Sequence, residues 1–257
     1  MQEDLKLAER RQKILDLLNI ENRVLVSELS RRFSISEVTI RNDLAELEHR
    51  GLLERVHGGA ISTKRGYYNM TLTERSQANV EAKKIVAERA AAIVDDGETL
   101  LINAGTTTLL VAMELKKKRN LKVVTNSIPI AQAIADSEGN SAILLGGELN
   151  ERYLFTYGTD ALEQLKRYRA DRLILSVDGV EPRNGISTYH YEESELDRLM
   201  IERSNKVTVA ADSSKIGAES FVSIAGLNAV DILVTNSGVS ESFLQAIRKH
   251  GLEVLQA

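Results

Sequence analysis

Ala104-Gly105-Thr106-Thr107-Thr108 sets a glycine in front of three consecutive hydroxyl side chains. Between a strand and a helix, such a run offers the unpaired N–H groups and positive dipole end of the helix. The hydroxyls add donors, and the glycine lets a ligand approach the backbone. Together these make a site for an oxyanion such as phosphate. The same residues also make a plain Thr-rich helix cap, and the run alone does not decide between the two. Four further polar turns carry groups that would complete such a site: Thr125-Asn126-Ser127, Gly146-Gly147-Glu148, Asp178-Gly179 and Asp212-Ser213-Ser214-Lys215. Lys215 can neutralise a phosphate as a point charge. Asp178 and Glu193 can accept hydrogen bonds from sugar hydroxyls, although each alone also reads as an ordinary turn or first-turn helix residue.

A second chemistry-bearing pair is Arg41-Asn42. Arg grips guanine and Asn grips adenine bidentately, worth roughly 1–3 kcal/mol of base discrimination per pair. Ile40, Leu44 and Leu47 recur at helical spacing and claim the buried face, which leaves Glu37, Thr39, Arg41 and Asn42 to point outward. Arg55, His57 and Lys64 downstream suit phosphate or minor-groove contacts. A lone Arg-Asn pair fits a solvated helix face better than a base contact.

These groups need particular elements beneath them. Leu7, Ile14, Leu17 and Leu18 predict a first helix, broken at Asn22-Arg23, and a short second helix spans about Ser27 to Phe33. Ser36 is a good N-cap for a third helix running to His49, which Gly51 can stop. Leu52 to Val56, the turn His57-Gly58-Gly59 and Ala60-Ile61-Ser62 read as a strand, tight turn and return strand. Three helices and a hairpin of this kind are the winged helix-turn-helix pattern, with the helix-turn-helix itself at about 24–43. Residues 63–80 lack clear periodicity and read as a linker. Beyond a helix at 80–94, strands at 98–102, 121–125, 141–145, 171–177, 206–210 and 230–234 alternate with helices at 107–118, 128–136, 159–168, 193–203 and 240–249. That alternation predicts a doubly wound, largely parallel sheet with its ligand site at the carboxyl ends of the strands.

The chain of 257 residues is long enough for two domains, and its 43% apolar content supports a real core. No run of 18 apolar residues occurs, so no membrane span is expected. The polar start Met1-Gln2-Glu3-Asp4 predicts no secretory leader, and with zero cysteines the expectation is a cytoplasmic protein without disulfides or thiolate chemistry. Histidines 49, 57, 190 and 250 lack ligand spacing, so no metal is expected. The net charge of -4 divides into +1 for residues 1–65 (12 Lys+Arg, 11 Asp+Glu) and therefore -5 for the rest. Charge alone does not point to nucleic acid.

Thr39-Ile40-Arg41-Asn42-Asp43-Leu44 with Leu47-Glu48, then Arg55-Val56-His57-Gly58-Gly59-Ala60, resembles the N-terminal signature of the DeoR family of bacterial regulators. Val26, Glu28-Leu29, Phe33 and Ser36 fit it as well. Leu101 to Thr108, Val124-Thr125-Asn126-Ser127, Leu145-Gly146-Gly147 and Asp212-Ser213-Ser214-Lys215 resemble the effector domain of the same family. The resemblance runs from residue 7 to the end apart from the linker, and implies an α/β fold class. A small winged helix-turn-helix (1–62) is joined through a linker (63–79) to a doubly wound effector domain (80–257) similar to ribose-5-phosphate isomerase and coenzyme A transferases.

The implied function is a DNA-binding transcriptional regulator. It would repress a carbohydrate-utilisation operon and leave its operator when a phosphorylated sugar or amino sugar binds, with no other cofactor expected. The candidate DNA contacts are Ser36, Glu37, Thr39, Arg41, Asn42, Arg55, His57 and Lys64. The candidate ligand contacts are Asn103, Gly105, Thr106, Thr107, Thr108, Asn126, Gly146, Gly147, Asp178, Glu193 and Lys215. Asn42 stands where the family usually has a second Arg, and Asn103 where it usually has Asp, which leaves the operator sequence and the effector open. One short recognition helix reads too few base pairs, so a homo-oligomer (dimer or tetramer) is expected. The competing reading is a sugar-phosphate isomerase with an accessory DNA-binding module. Asp178-Gly179 resembles an isomerase segment but lacks its second Asp, since Glu181 comes only after Val180.

Overall fold

The computed structural model describes residues 2–21, 23–61 and 70–257. Its contacts divide the chain into two units, Met1–Val80 and Glu81–Ala257.

The first unit runs α1 (Gln2–Glu21), β1 (Arg23–Leu25), α2 (Val26–Phe33), α3 (Glu37–His49), β2 (Glu54–Val56), β3 (Gly59–Ile61) and α4 (Leu72–Gln77). Helix α2 ends because Ser34 takes a left-handed conformation, and Ser36 starts α3 by accepting from the Thr39 N–H. Ile14, Leu18, Val24, Leu29, Ile40, Leu44 and Leu47 share one buried core. Leu52 and Leu53, expected in a strand, fill that core instead, and the strand begins at Glu54. The sheet has three strands in the order β1-β3-β2, so the segment read as a break at Arg23 is a short strand pairing with β3. That pairing explains Gly59: a side chain there would come 2.0 Å from the Val24 carbonyl oxygen. The second half of the stretch read as linker is also structured. Met70 is buried in the first unit's core, and Thr71 and Glu74 form a reciprocal capping box for α4.

The second unit is built on a seven-stranded parallel sheet. Its elements are α5 (Val80–Ala92), β4 (Thr99–Ile102), α6 (Thr106–Glu114), β5 (Lys122–Thr125), α7 (Ile128–Ala135), β6 (Ser141–Leu144), β7 (Glu148–Asn150), β8 (Phe155–Tyr157), α8 (Thr159–Leu165), β9 (Ala170–Leu175), β10 (Gly179–Glu181), β11 (Gly185–Thr188), α9 (Tyr191–Glu202), β12 (Ser204–Ala210), β13 (Val222–Ala225), β14 (Ile232–Thr235), α10 (Glu241–Arg248) and β15 (Glu253–Gln256). The order across the sheet is β15-β14-β12-β9-β4-β5-β6. Successive residues feed opposite faces, as the period of two demands. Leu101, Leu173 and Leu175 pack with α8, α9 and α10, whereas Leu100, Ile102 and Ile174 pack with α5, α6 and α7. The doubly wound expectation holds, with three additions: a seventh parallel strand β15 at the sheet edge, a β7-β8 hairpin and a small antiparallel sheet β10-β11-β13. At the bottom of the sheet Arg172 grips Glu98 with two hydrogen bonds, 2.9 and 3.1 Å.

Candidate functional site

Helix α3 presents the first candidate surface. Arg41 and Asn42 are exposed, and Arg41 Nη2 donates to Glu37 Oε2 at 2.6 Å one turn earlier. Ser36 and Thr39 spend their side chains on each other and on the cap (Oγ to Oγ1 2.9 Å), so they set the angle of the helix start. Val38 was missed by the sequence reading: it is 64% exposed on the same first turn, a methyl-bearing side chain suited to a thymine methyl. Its only signal is an apolar residue off the buried 40/44/47 face. Beneath the helix, Asp43 is buried and accepts from Arg10 Nε at 2.6 Å and Arg11 Nε at 3.0 Å, which fastens α1 to α3.

In the wing, His57 is exposed at the turn. Arg55 donates its backbone N–H (3.0 Å) and its Nε (2.7 Å) to Glu48. Those bonds, the backbone one first, hold the Glu48 carboxyl below its usual range and tie the wing to α3. Lys64 lies outside the described residues.

The second surface lies where the strand order reverses, between β4 and β9, the place where an open α/β sheet takes its ligand. Gly105 caps α6 without a side chain, and the first turn of α6 carries no acidic residue, so the positive helix end is left uncompensated. Thr106, Thr107 and Thr108 are buried, and Thr108 Oγ1 donates to the Gly105 carbonyl at 3.1 Å. Glycine is required at 105 by the neighbouring strand: a side chain would sit 1.9 Å from Ser176 Oγ. Asn103 spans the reversal, accepting from the Ser176 N–H at 2.8 Å. Asn126 holds the Ala104 N–H (3.1 Å) and donates to the Thr156 carbonyl, so it braces the run from β5.

Asp178 follows β9 and lies 3.7 Å from Lys215 Nζ, while Thr188 Oγ1 lies 3.2 Å from Glu193 Oε2 and 3.5 Å from Asp178 Oδ2. Asn103, Gly105 and Thr108 are thus joined through Ser176, and Asp178, Glu193 and Lys215 through direct contact or Thr188. Gly146 and Gly147 stand apart. They follow β6, two strands from β4, where Gln164 Oε1 accepts from the Gly146 N–H at 3.0 Å. A side chain at 147 would meet the Tyr157 carbonyl at 2.3 Å.

Asp197 connects the two groups and was not foreseen, although it lies on α9 one turn after Glu193. It accepts from Asn103 Nδ2 at 3.1 Å. Its Oδ2 is buried with no hydrogen-bond partner among the described residues. Burial pushes its carboxyl up to about 7; the Asn103 hydrogen bond opposes this, and the charge of Asp178 adds to it.

A helix-turn-helix with an antiparallel wing and an exposed Arg-Asn helix face, in one chain with an α/β unit open at its strand reversal, defines a DNA-binding transcriptional regulator with a sensor domain. Residues 10–65 match the DeoR-like helix-turn-helix domain and residues 78–237 the DeoR C terminal sensor domain. The chain belongs to the DeoR family. It is 32% identical over 250 residues to a protein named as an aga operon transcriptional repressor in Escherichia coli O157:H7, covering 96% of this chain and 93% of that one. It is 31% identical over 250 residues to the glycerol-3-phosphate regulon repressor of Escherichia coli strain K12, covering 97% and 99%. Among solved structures, ribose 5-phosphate isomerase A from Methanocaldococcus jannaschii is 18% identical with a TM-score of 0.41, covering 54% of this chain and 55% of that one. Relatives matched along their whole length are regulators, so the isomerase reading is not favoured. Among the described residues, no helix is long and apolar enough to cross a membrane, and no group of three or more His, Cys, Asp or Glu could hold a metal ion.

Proposed function

We propose that this regulator is a cytoplasmic repressor of a carbohydrate-utilisation operon. It binds operator DNA as a homo-oligomer and leaves it when a phosphorylated sugar or amino sugar fills the β4/β9 crevice. The observation that carries the effector reading is the start of α6 at the strand reversal, which no side chain caps, with Lys215 close to Asp178 at the same strand ends. A relative named for a glycerol-3-phosphate regulon supports a phosphorylated ligand.

On the DNA side, Arg41, Asn42, Thr39 and Val38 face base edges; Glu37 orients Arg41, and Ser36, Arg55, His57 and Lys64 serve the backbone. On the effector side, Gly105, Thr106, Thr107 and Thr108 hold the phosphate with Lys215. Asn103, Asp178 and Glu193 take the hydroxyls, and Asn126, Gly146 and Gly147 shape the rim. Effector binding lowers operator affinity only through tighter binding to the DNA-free form. A thermal-shift screen of the purified chain against phosphorylated sugars and amino sugars tests this reading. A ligand at a hundredfold excess over its Kd raises apparent stability by about 2.7 kcal/mol. A hit among them is expected; no response to any phosphorylated compound would overturn the effector assignment.

A further inference from the structure

The two edges of the seven-stranded sheet differ in chemistry. The β15 edge exposes Glu253 and Gln256 and half-buries the apolar pair between them. The β6 edge exposes Ile143 (39%) and Leu144 (42%), adjacent residues that belong to opposite faces, and Leu149 of the following hairpin is 45% exposed. Strands of a parallel sheet are ordinarily covered on both faces and read as continuous apolar runs. Ala142-Ile143-Leu144-Leu145 is such a run, yet among the described residues no further strand pairs with its outer flank.

The backbone of β6 is open in the same direction. The Ser141 and Leu145 N–H groups donate to the carbonyls of Leu121, just before β5, and Thr125, at its end, so the alternation of the ladder turns the N–H and C=O groups of Ala142 and Leu144 outward. Protein edges are ordinarily blunted by a charge, a proline or a covering loop. Strand β6 contains no charged residue and no proline.

We propose that β6 is the subunit interface of the sensor unit, pairing antiparallel with β6 of a second copy of this chain about a two-fold axis at Ile143. The occupant follows from self-complementarity. Around that axis Ala142 of one copy faces Leu144 of the other, so both outward pairs of N–H and C=O groups are satisfied by their own kind, and Ile143 meets Ile143. A two-fold contact uses the same patch on both subunits. The proposal rests on the regulator reading, in which two recognition helices must occupy two half-sites and a second copy is therefore required.

The test is sedimentation of the full chain at micromolar concentration, for wild type and Leu144→Lys, with hydrogen exchange at the Ala142 and Leu144 amides. Wild type should be an even oligomer with both amides protected. Leu144→Lys should halve the mass, expose both amides and weaken operator binding at least tenfold. Unprotected amides in an oligomeric wild type would overturn the interface without any variant. An unchanged mass in a folded Leu144→Lys would do the same while leaving the oligomeric regulator intact. A wild type that stays monomeric on DNA would overturn both the interface and the paired-helix reading.

Discussion

Asn103 Nδ2 lies 3.1 Å from Asp197 Oδ1, so a neutral amide is the hydrogen-bond donor to a buried carboxyl. The folded-state pKa of Asp197, about 7, stands above the usual value near 3.9 of an unfolded aspartate. The native state therefore holds the proton more tightly. Stability is unpenalised below about pH 4, falls as pH rises between the two values, and carries the full penalty above about 7. Asp197→Asn should be more stable than wild type at pH 8, by on the order of 2 to 4 kcal/mol and visible as a higher melting temperature, and lose that advantage by pH 4. Parallel melting curves at both pH values would show that Asp197 is ionised without cost.

Asp43 receives both Arg10 and Arg11 while itself only 2% exposed. Asp43→Ala leaves two guanidinium groups facing each other without their carboxylate. Because the arginines are partly exposed, the expected loss is about 2–3 kcal/mol, at or below the lower end for a broken buried pair. Urea denaturation measures it, and a loss under about 0.5 kcal/mol would mean that α1 is held by its apolar face alone.

Arg41 is held by Glu37 across one helical turn. Arg41→Ala should cost roughly 1–3 kcal/mol on the operator and flatten base preference at one position. If every DNA sequence weakened equally, Arg41 would be a phosphate contact.

The helix-turn-helix was legible because Ile40, Leu44 and Leu47 mark a period and Ser36 marks a start, both local signals. Six of the seven parallel strands were legible as apolar runs; β15, Glu253-Val254-Leu255-Gln256, was not, because only two of its four residues are apolar. The short strands β1, β7, β8, β10, β11 and β13, each of three or four residues, were not: β1 and β13 pair with distant partners, and the hairpin strands β7, β8, β10 and β11 are too short to show an alternating pattern. Within the crevice the Gly-Thr-Thr-Thr run stood out in sequence. The reason for Gly105 did not, because Ser176 lies just past the end of β9, more than seventy residues away. Asp197 was hidden for a similar reason: its meaning comes from Asn103, 94 positions distant.

Gly105→Ala places a methyl group 1.9 Å from Ser176 Oγ and 3.0 Å from Thr108 Oγ1. It should destabilise the sensor unit by about 1–3 kcal/mol through overpacking. Ser176→Gly removes the closest atoms and should restore part of that loss in the double variant. No rescue, measured by thermal melting, would place the requirement for glycine elsewhere.

In the proposed function, one chain couples an effector crevice to a DNA-reading helix. The direct measurement is fluorescence anisotropy on an operator recovered by in vitro selection, titrated with the phosphorylated sugar found by thermal shift. Saturating effector should raise the operator Kd of wild type at least tenfold. Lys215→Ala should keep wild-type operator affinity and need far more effector for the same release. An effector that binds wild type at saturation and leaves its operator Kd unchanged would contradict the account.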